Sequence, residues 1–309
     1  MPSHIVVVRS VMERTRKACL DIAASQLGLG GILKEVSDIP FDEAHIQSVQ
    51  LTVESGARWA IFLDADVLLR PDAVALMMAE AEKFTTPFYM MNFRILDFGF
   101  DGPAYAGVHF YTAKYLKQAL DFEQQARQDQ RPETRMVYEM KAKRGVTSVA
   151  STTLVGLHGY EQYYRDLYRT SFVRGVKFKT RRDYILPTLR SRCFRGVDTD
   201  LDYQVMLWGW LDGSIYALDH EKAPLDSSFY RESAERMLSQ LGLREKGDYR
   251  PDPAWVERAI LGHTTDERYA ANRHWICPPE FFPPVPTPPS LLQRARRFAG
   301  KLKRRIASL

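Results

Sequence analysis

Asp64 and Asp66 stand one residue apart at the end of an apolar run that reads Trp-Ala-Ile-Phe-Leu-Asp-Ala-Asp-Val-Leu-Leu from position 59. Two carboxylates leaving a hydrophobic segment are costly to desolvate unless something neutralises them. A divalent cation that also carries phosphate oxygens does this well, because hard cations take oxygen ligands. Strand alternation puts both side chains on the same side of the chain, where they can share one ion. The chemistry implied is the handling of a metal-bound phosphate. Carboxylates paired to arginines and remote from any cleft would remove that implication.

The elements that must position the pair follow from periodicity. A short bulky apolar run predicts a buried strand of a parallel sheet, here within 59–69, with Asp64 and Asp66 where it leaves the core. Before it, residues 5–8 read as a strand and 13–27 as a helix with Ala18, Ile22 and Leu27 on one face, closed by Gly28 and Gly30. Residues 32–36 read as a second strand and 41–55 as a second helix ending at Gly56. After it, Pro71 and Asp72 open a helix through position 84, with proline at a favourable early place, and 87–93 is a further strand. Such alternation predicts an α/β fold with a mostly parallel sheet flanked by helices, whose ligands gather at the carboxyl ends of strands. Residues 113–195 read as an acceptor-side helical insertion: a polar helix over 114–130, a β-branched strand over 148–157 and an aromatic helix over 160–173. Beyond it, a helix over 200–210, a strand over 214–218 and helices over 233–241 and 255–261 complete a body spanning 1–275.

Composition narrows the class. The chain has 309 residues, ample for one large α/β domain, with apolar and charged contents of 45% and 26%. Cys19, Cys193 and Cys277 are odd in number and widely spaced, so they imply neither a disulfide framework nor a metal-binding pair, and a reducing compartment is the simpler expectation. The opening apolar run is cut by Arg9 and reads as a strand, not a secretion signal. No apolar stretch approaches the ~18 residues needed to span a bilayer.

The net charge of +5 belongs to the tail. Seven Lys or Arg and no acid follow Leu291, leaving −2 for residues 1–290, which argues against a nucleic-acid-binding core. Residues 276–290 are a Pro-rich linker, extended and semi-rigid, with seven prolines between 278 and 289. In 291–309, Leu291, Ala295, Phe298 and Leu302 recur at helical spacing, flanked by Arg294, Arg297, Lys301 and Arg305. This is a basic amphipathic helix suited to an anionic membrane surface; the alternative is a helix docked on the body with solvated arginines.

Residues 56–74 resemble the central motif of nucleotide-sugar glycosyltransferases of the GT-A fold, in which Asp-x-Asp holds Mn2+ or Mg2+ against the donor diphosphate. The stretch from Val6 to Leu27 is similar to the first strand and helix of family-2-like, inverting members. That resemblance implies nucleoside contacts at Val8, Arg9 and Ser10 and a base or ribose contact at Asp38, with Asp64 also on the nucleotide and Asp64 and Asp66 on the metal. Residues 196–213 resemble the acidic segment that deprotonates the acceptor. It implies Asp198 as base and Asp200 in reserve, although Val197 stands where the family has Glu. A third metal ligand is implied at His220, with Asp226 and His158 as rivals. Tyr105-Ala-Gly-Val-His-Phe-Tyr resembles the acceptor-side segment, which points to Gly107 and His109. His158 and Tyr160 join them as substrate-binding candidates. For sugar stacking, Tyr160, Tyr163, Tyr164, Trp208 and Trp210 are available, though ordinary core packing competes, above all for the two tryptophans.

The resemblance implies transfer from a nucleotide-sugar to a glycan or lipid-linked acceptor, in bacterial surface polysaccharide or lipopolysaccharide synthesis. The place implied is cytoplasmic, on the inner face of the membrane. Two other readings compete. Phosphatases of the haloacid dehalogenase type also carry Asp-x-Asp after a hydrophobic strand, but on the first strand of the domain, whereas two strand-helix units precede it here. In a non-catalytic membrane-surface scaffold the acids would only cap the following helix, for which one would suffice.

Overall fold

The computed structural model describes residues 2–99, 102–122, 132–177, 201–220, 222–224, 227–249 and 253–265. The chain divides into two compact units, 1–273 and 274–309, and the second lies wholly outside the described residues, with the expected linker and basic helix. Among the described residues no helix is long and apolar enough to cross a membrane.

The strands are β1 (His4–Ser10), β2 (Gly31–Ser37), β3 (Trp59–Asp64), β4 (Val67–Leu69), β5 (Phe88–Asp97), β6 (Gly102–Ala104), β7 (Val108–Thr112) and β8 (Thr147–His158). They form one sheet in the order β2-β1-β3-β7-β5-β8-β4, with β6 beside β5. β1 pairs parallel to β2 and β3, and β5 parallel to β8, while β7 runs antiparallel between β3 and β5. Five strands therefore share one direction, as expected of a mostly parallel sheet. Their carboxyl ends place Asp64, Asp97 and His158 along one rim, and Asp97 faces His158 in the β5–β8 register.

Alternation along the strands splits the core in two. Val6, Val8, Ile61 and Leu63 pack on one face with α1 (Arg16–Ser25) and α3 (Ala73–Glu82). Ile5, Val7, Ala60 and Phe62 pack on the other with α2 (Phe41–Ser55), α4 (Ala113–Ala119) and α5 (Pro132–Arg144). A third cluster is helical, built by α6 (Tyr164–Lys177), α7 (Leu201–Tyr216) and α8 (Ser227–Gln240), and α9 (Pro253–Thr265) follows. The α6 and α7 backbones come close because Gly209 and Gly213 face the Tyr168 and Phe172 carbonyls, where a Cβ would not fit.

Two expectations change. The strand expected over 214–218 is the end of α7 and the turn after it, because Trp210, Gly213 and Ala217 turn at helical spacing toward α6 and α8. Residues expected as insertion supply β8, a strand of the sheet itself, which pairs with both β5 and β4.

Candidate functional site

The Asp64–Asp66 turn is clamped by backbone on three sides. Asp64 N donates to Gly107 O at 2.8 Å, Ala65 N to Arg9 O at 2.9 Å, and Gly159 N to Asp66 O at 3.0 Å. Thr15 Oγ1 donates to Ala65 O at 2.8 Å from beneath. Gly107 holds φ +68°, and a Cβ there would sit 2.5 Å from Val67 Cγ2 and 2.9 Å from the His158 ring. Its lack of a side chain lets His158 and Val67 pack against its backbone.

The two carboxylates diverge. β3 ends at Asp64, so Asp66 lies in a turn and strand alternation no longer aligns it with Asp64. Asp64 Oδ1 accepts from Arg9 Nη2 at 2.6 Å. Arg9 is buried, its guanidinium 4.8 Å over the Phe41 ring, and its Nη1 donates to His45 Nδ1 at 3.4 Å. Burial, with the Arg9 charge, holds His45 well below the usual imidazole range, so it stays neutral and accepts that bond. Burial pushes Asp64 up, the Arg9 charge opposes, and the neighbouring Asp66 carboxylate adds to the rise. One oxygen of the pair is thus committed to an arginine.

Asp66 keeps the opposite environment. Its Oδ2 lies 3.4 Å from His158 Nε2, and His158 Nδ1 donates to Asp97 Oδ2 at 2.7 Å. Arg174 Nη2 reaches the same Asp97 oxygen at 3.0 Å. Burial disfavours the His158 charge, but the two flanking carboxylates outweigh it and raise the imidazole well above its ordinary value. Burial likewise pushes Asp66 up, yet the His158 charge and hydrogen bond bring it below the ordinary carboxylate range. At neutral pH the array is therefore carboxylate, imidazolium, carboxylate, guanidinium. Asp66 Oδ1 is buried and bonded to nothing.

Asp66 lines a cavity of about 30 Å³, room for roughly two waters. Glu13, Gln162, Asp166 and Arg169 line it with the array above. Burial and the Asp66 charge push Glu13 up to about 7, and its Oε2 accepts from Val11 N at 2.7 Å. Burial pushes Asp166 up to about 6 against the nearby Arg169 charge. The chemistry fits a hard cation next to phosphate, with oxygen donors and a guanidinium around a desolvated carboxylate. Among the described residues, no three His, Cys, Asp or Glu side chains are grouped to hold an ion by themselves.

The other expected residues fall as follows. Val8 is wholly buried in the core, so only its backbone could meet a nucleoside. Ser10 is buried and donates to Glu35 Oε1 at 2.9 Å. Asp38 follows β2 with a left-handed φ of 60°, its N–H donating to Ser10 O at 3.0 Å, at the carboxyl end of the parallel half. His109 faces Asn92 at 3.4 Å, and burial with the Arg9 charge lowers it to about 3, so it is a neutral part of the Arg9 surroundings. Tyr160 packs edge-on against Phe98 at 5.1 Å, and Tyr163 donates to Asp248 at 2.9 Å. Tyr164 and Trp210 are core residues, whereas Trp208 is exposed. His220 stacks on Tyr216 in the turn after α7 and does not line the cavity. Asp198, Asp200 and Asp226 lie outside the described residues.

The structure thus joins Asp66 and His158 directly and sets Arg9 with Asp64 beside them. Sequence reasoning missed Glu13, Asp97, Gln162, Asp166, Arg169 and Arg174. Asp97 carried the same signal as Asp64, an acid closing an apolar strand pattern. Glu13 lies three residues beyond the end of β1, in the loop before α1. Gln162, Asp166, Arg169 and Arg174 carried no local signal, because the folding of α6 against the rim is what brings them there.

No family model matches the sequence, and no curated protein matches it. Solved structures that the chain matches include S. aureus TarS 1–349, at 13% identity and a TM-score of 0.37 over 82% of this chain and 94% of that one. The mannosyltransferase PcManGT from Pyrobaculum calidifontis, in complex with GDP-Man and Mn2+, is similar at 10% identity and a TM-score of 0.34 over 89% and 87%. A glycosyltransferase involved in glycosylation of the major capsid of PBCV-1 is similar at 12% identity and a TM-score of 0.35 over 49% and 83%.

Proposed function

We propose that this chain is a glycosyltransferase that moves a sugar from a nucleotide-sugar to a hydroxyl of a glycan or lipid-linked acceptor, with Mn2+ or Mg2+ as cofactor. The observation that carries the reading is Asp66 Oδ1: a desolvated carboxylate oxygen with no partner, on a residue at the carboxyl ends of co-directional strands that lines a cavity with Arg169. Asp66 would hold the cation, which when bound supplies positive charge against the departing diphosphate. Asp64 has one oxygen on Arg9, so its part would be to fix the strand end and offer the other oxygen of its partly exposed side chain toward the nucleotide. Arg169, which lines the cavity, would meet a donor phosphate. His158, held charged by Asp66 and Asp97, orients the Asp66 carboxylate and keeps the rim near neutrality before donor arrives. Asp198, with Asp200 behind it, is proposed to accept the acceptor proton. The 291–309 segment, joined through the Pro-rich 276–290 stretch, is proposed to rest on the anionic inner face of a membrane, where surface polysaccharide or lipopolysaccharide precursors are built.

A thermal-shift panel of sugar nucleotides, with and without Mn2+, tests this. A matching donor at one hundred times its Kd raises stability by about 2.7 kcal/mol. Asp66→Ala should abolish the Mn2+-dependent part of that shift. Equal binding of Mn2+ and donor by Asp66→Ala and the parent would refute the assignment.

A further inference from the structure

Three buried oxygens of the cavity residues have no partner: Asp66 Oδ1, Gln162 Oε1 and Asp166 Oδ2. Gln162 is the informative one, because it is 3% exposed and its amide cannot turn over. Its Nε2 donates to Tyr160 O at 2.9 Å and to Thr15 Oγ1 at 2.8 Å. The Thr15 hydroxyl has already given its proton to Ala65 O, so it can only accept from Gln162. The amide oxygen is therefore the atom left over, fixed in place and bonded to nothing. Asp166 sits in the first turn of α6, where helix N–H groups favour a carboxylate, yet its Oδ2 is unbonded as well. Glu13 differs: one of its oxygens is engaged with Val11 N.

A buried oxygen without a hydrogen bond is a standing cost to the fold. All three residues line one cavity, and their unpartnered oxygens make a candidate ligand set: hard oxygens only, two anionic and one neutral, with no sulfur. That set suits Mg2+, Mn2+ or Ca2+. We propose that Gln162 Oε1 and Asp166 Oδ2 join Asp66 Oδ1 as ligands of one divalent cation. The inference rests on the reading of Asp66 given above and adds residues that the Asp-x-Asp pattern does not contain. It also gives the cation a structural role. The Asp66 turn and the start of α6 are already joined through Ala65, Thr15 and Gln162, and the ion would close the same junction from its other side.

The test is a Mn2+ titration of the full chain, followed by the electron paramagnetic resonance signal of unbound Mn2+, without nucleotide and with GDP. Gln162→Leu and Asp166→Asn should each weaken Mn2+ binding tenfold or more. Asp166→Asn should also leave the metal-free melting temperature at or above that of the parent, since it removes a carboxylate whose charge desolvation disfavours, while the Mn2+-induced rise shrinks. Parent-like Mn2+ binding by both variants, with Asp66→Asn defective, overturns this inference and leaves the reading of Asp66 standing. Parent-like binding by Asp66→Asn, or no Mn2+ binding by the parent with or without GDP, overturns both.

Discussion

Glu13→Gln offers a test whose size can be worked from the site. Burial and the Asp66 charge push Glu13 from an ordinary 4.5 to about 7. Below pH 4.5 the residue is protonated in the folded and the unfolded chain alike, and it contributes nothing. Between 4.5 and 7 the unfolded chain ionises while the folded one does not, so stability falls by about 1.36 kcal/mol per pH unit. Above 7 both are ionised and the penalty is constant, about 3 kcal/mol over a span of about 2.5 units. Glutamine keeps an oxygen for Val11 N and carries no charge. In EDTA, urea unfolding at pH 5 should therefore show the variant ahead of the parent by less than about 1 kcal/mol, and at pH 8 by about 3 kcal/mol. A gain that is flat with pH, or larger at pH 5, would refute the claim that Asp66 and burial act on Glu13 in the metal-free chain.

Two further outcomes are expected. Arg9→Met leaves the Asp64 carboxylate without its partner and should cost about 3 kcal/mol, the low end for a broken buried pair because Asp64 is partly exposed. Adding Asp64→Asn should recover at least half of that in urea midpoints, and strictly additive losses would show that the pair is not coupled. Gly107→Ala forces a left-handed φ on alanine and a Cβ against Val67 and His158, for a loss of about 3 kcal/mol. An unchanged melting temperature would mean that the β3–β7 junction can yield.

The order of elements through the first hundred residues was legible because each is decided locally. The apolar run 59–63 is bulky enough to be buried on both faces, the 41–55 helix is closed by Gly56 in a left-handed turn, and acids fall where strands leave the core. The site was legible to the extent that it lies in those strand ends, at Arg9, Asp64, Asp66 and His158. Even there the division of labour was not. Whether Asp64 faces an ion or an arginine depends on where β1 lays Arg9 beside it, a matter of register between segments 55 residues apart.

What the sequence by itself determined was periodicity, and hence most strands and helices and the acids where β3 leaves the core, but not the turn that sets Asp66 apart from Asp64. Only the tertiary structure decided that 214–218 continues a helix, since that depends on a partner surface supplied by α6 and α8. It alone brought Gln162, Asp166 and Arg169 to the rim, through packing between residues nearly a hundred positions beyond Asp66 and the strand ends. The physical reason is the same in both cases: local propensity acts within a few residues, whereas burial and charge compensation are properties of whatever the completed fold places side by side.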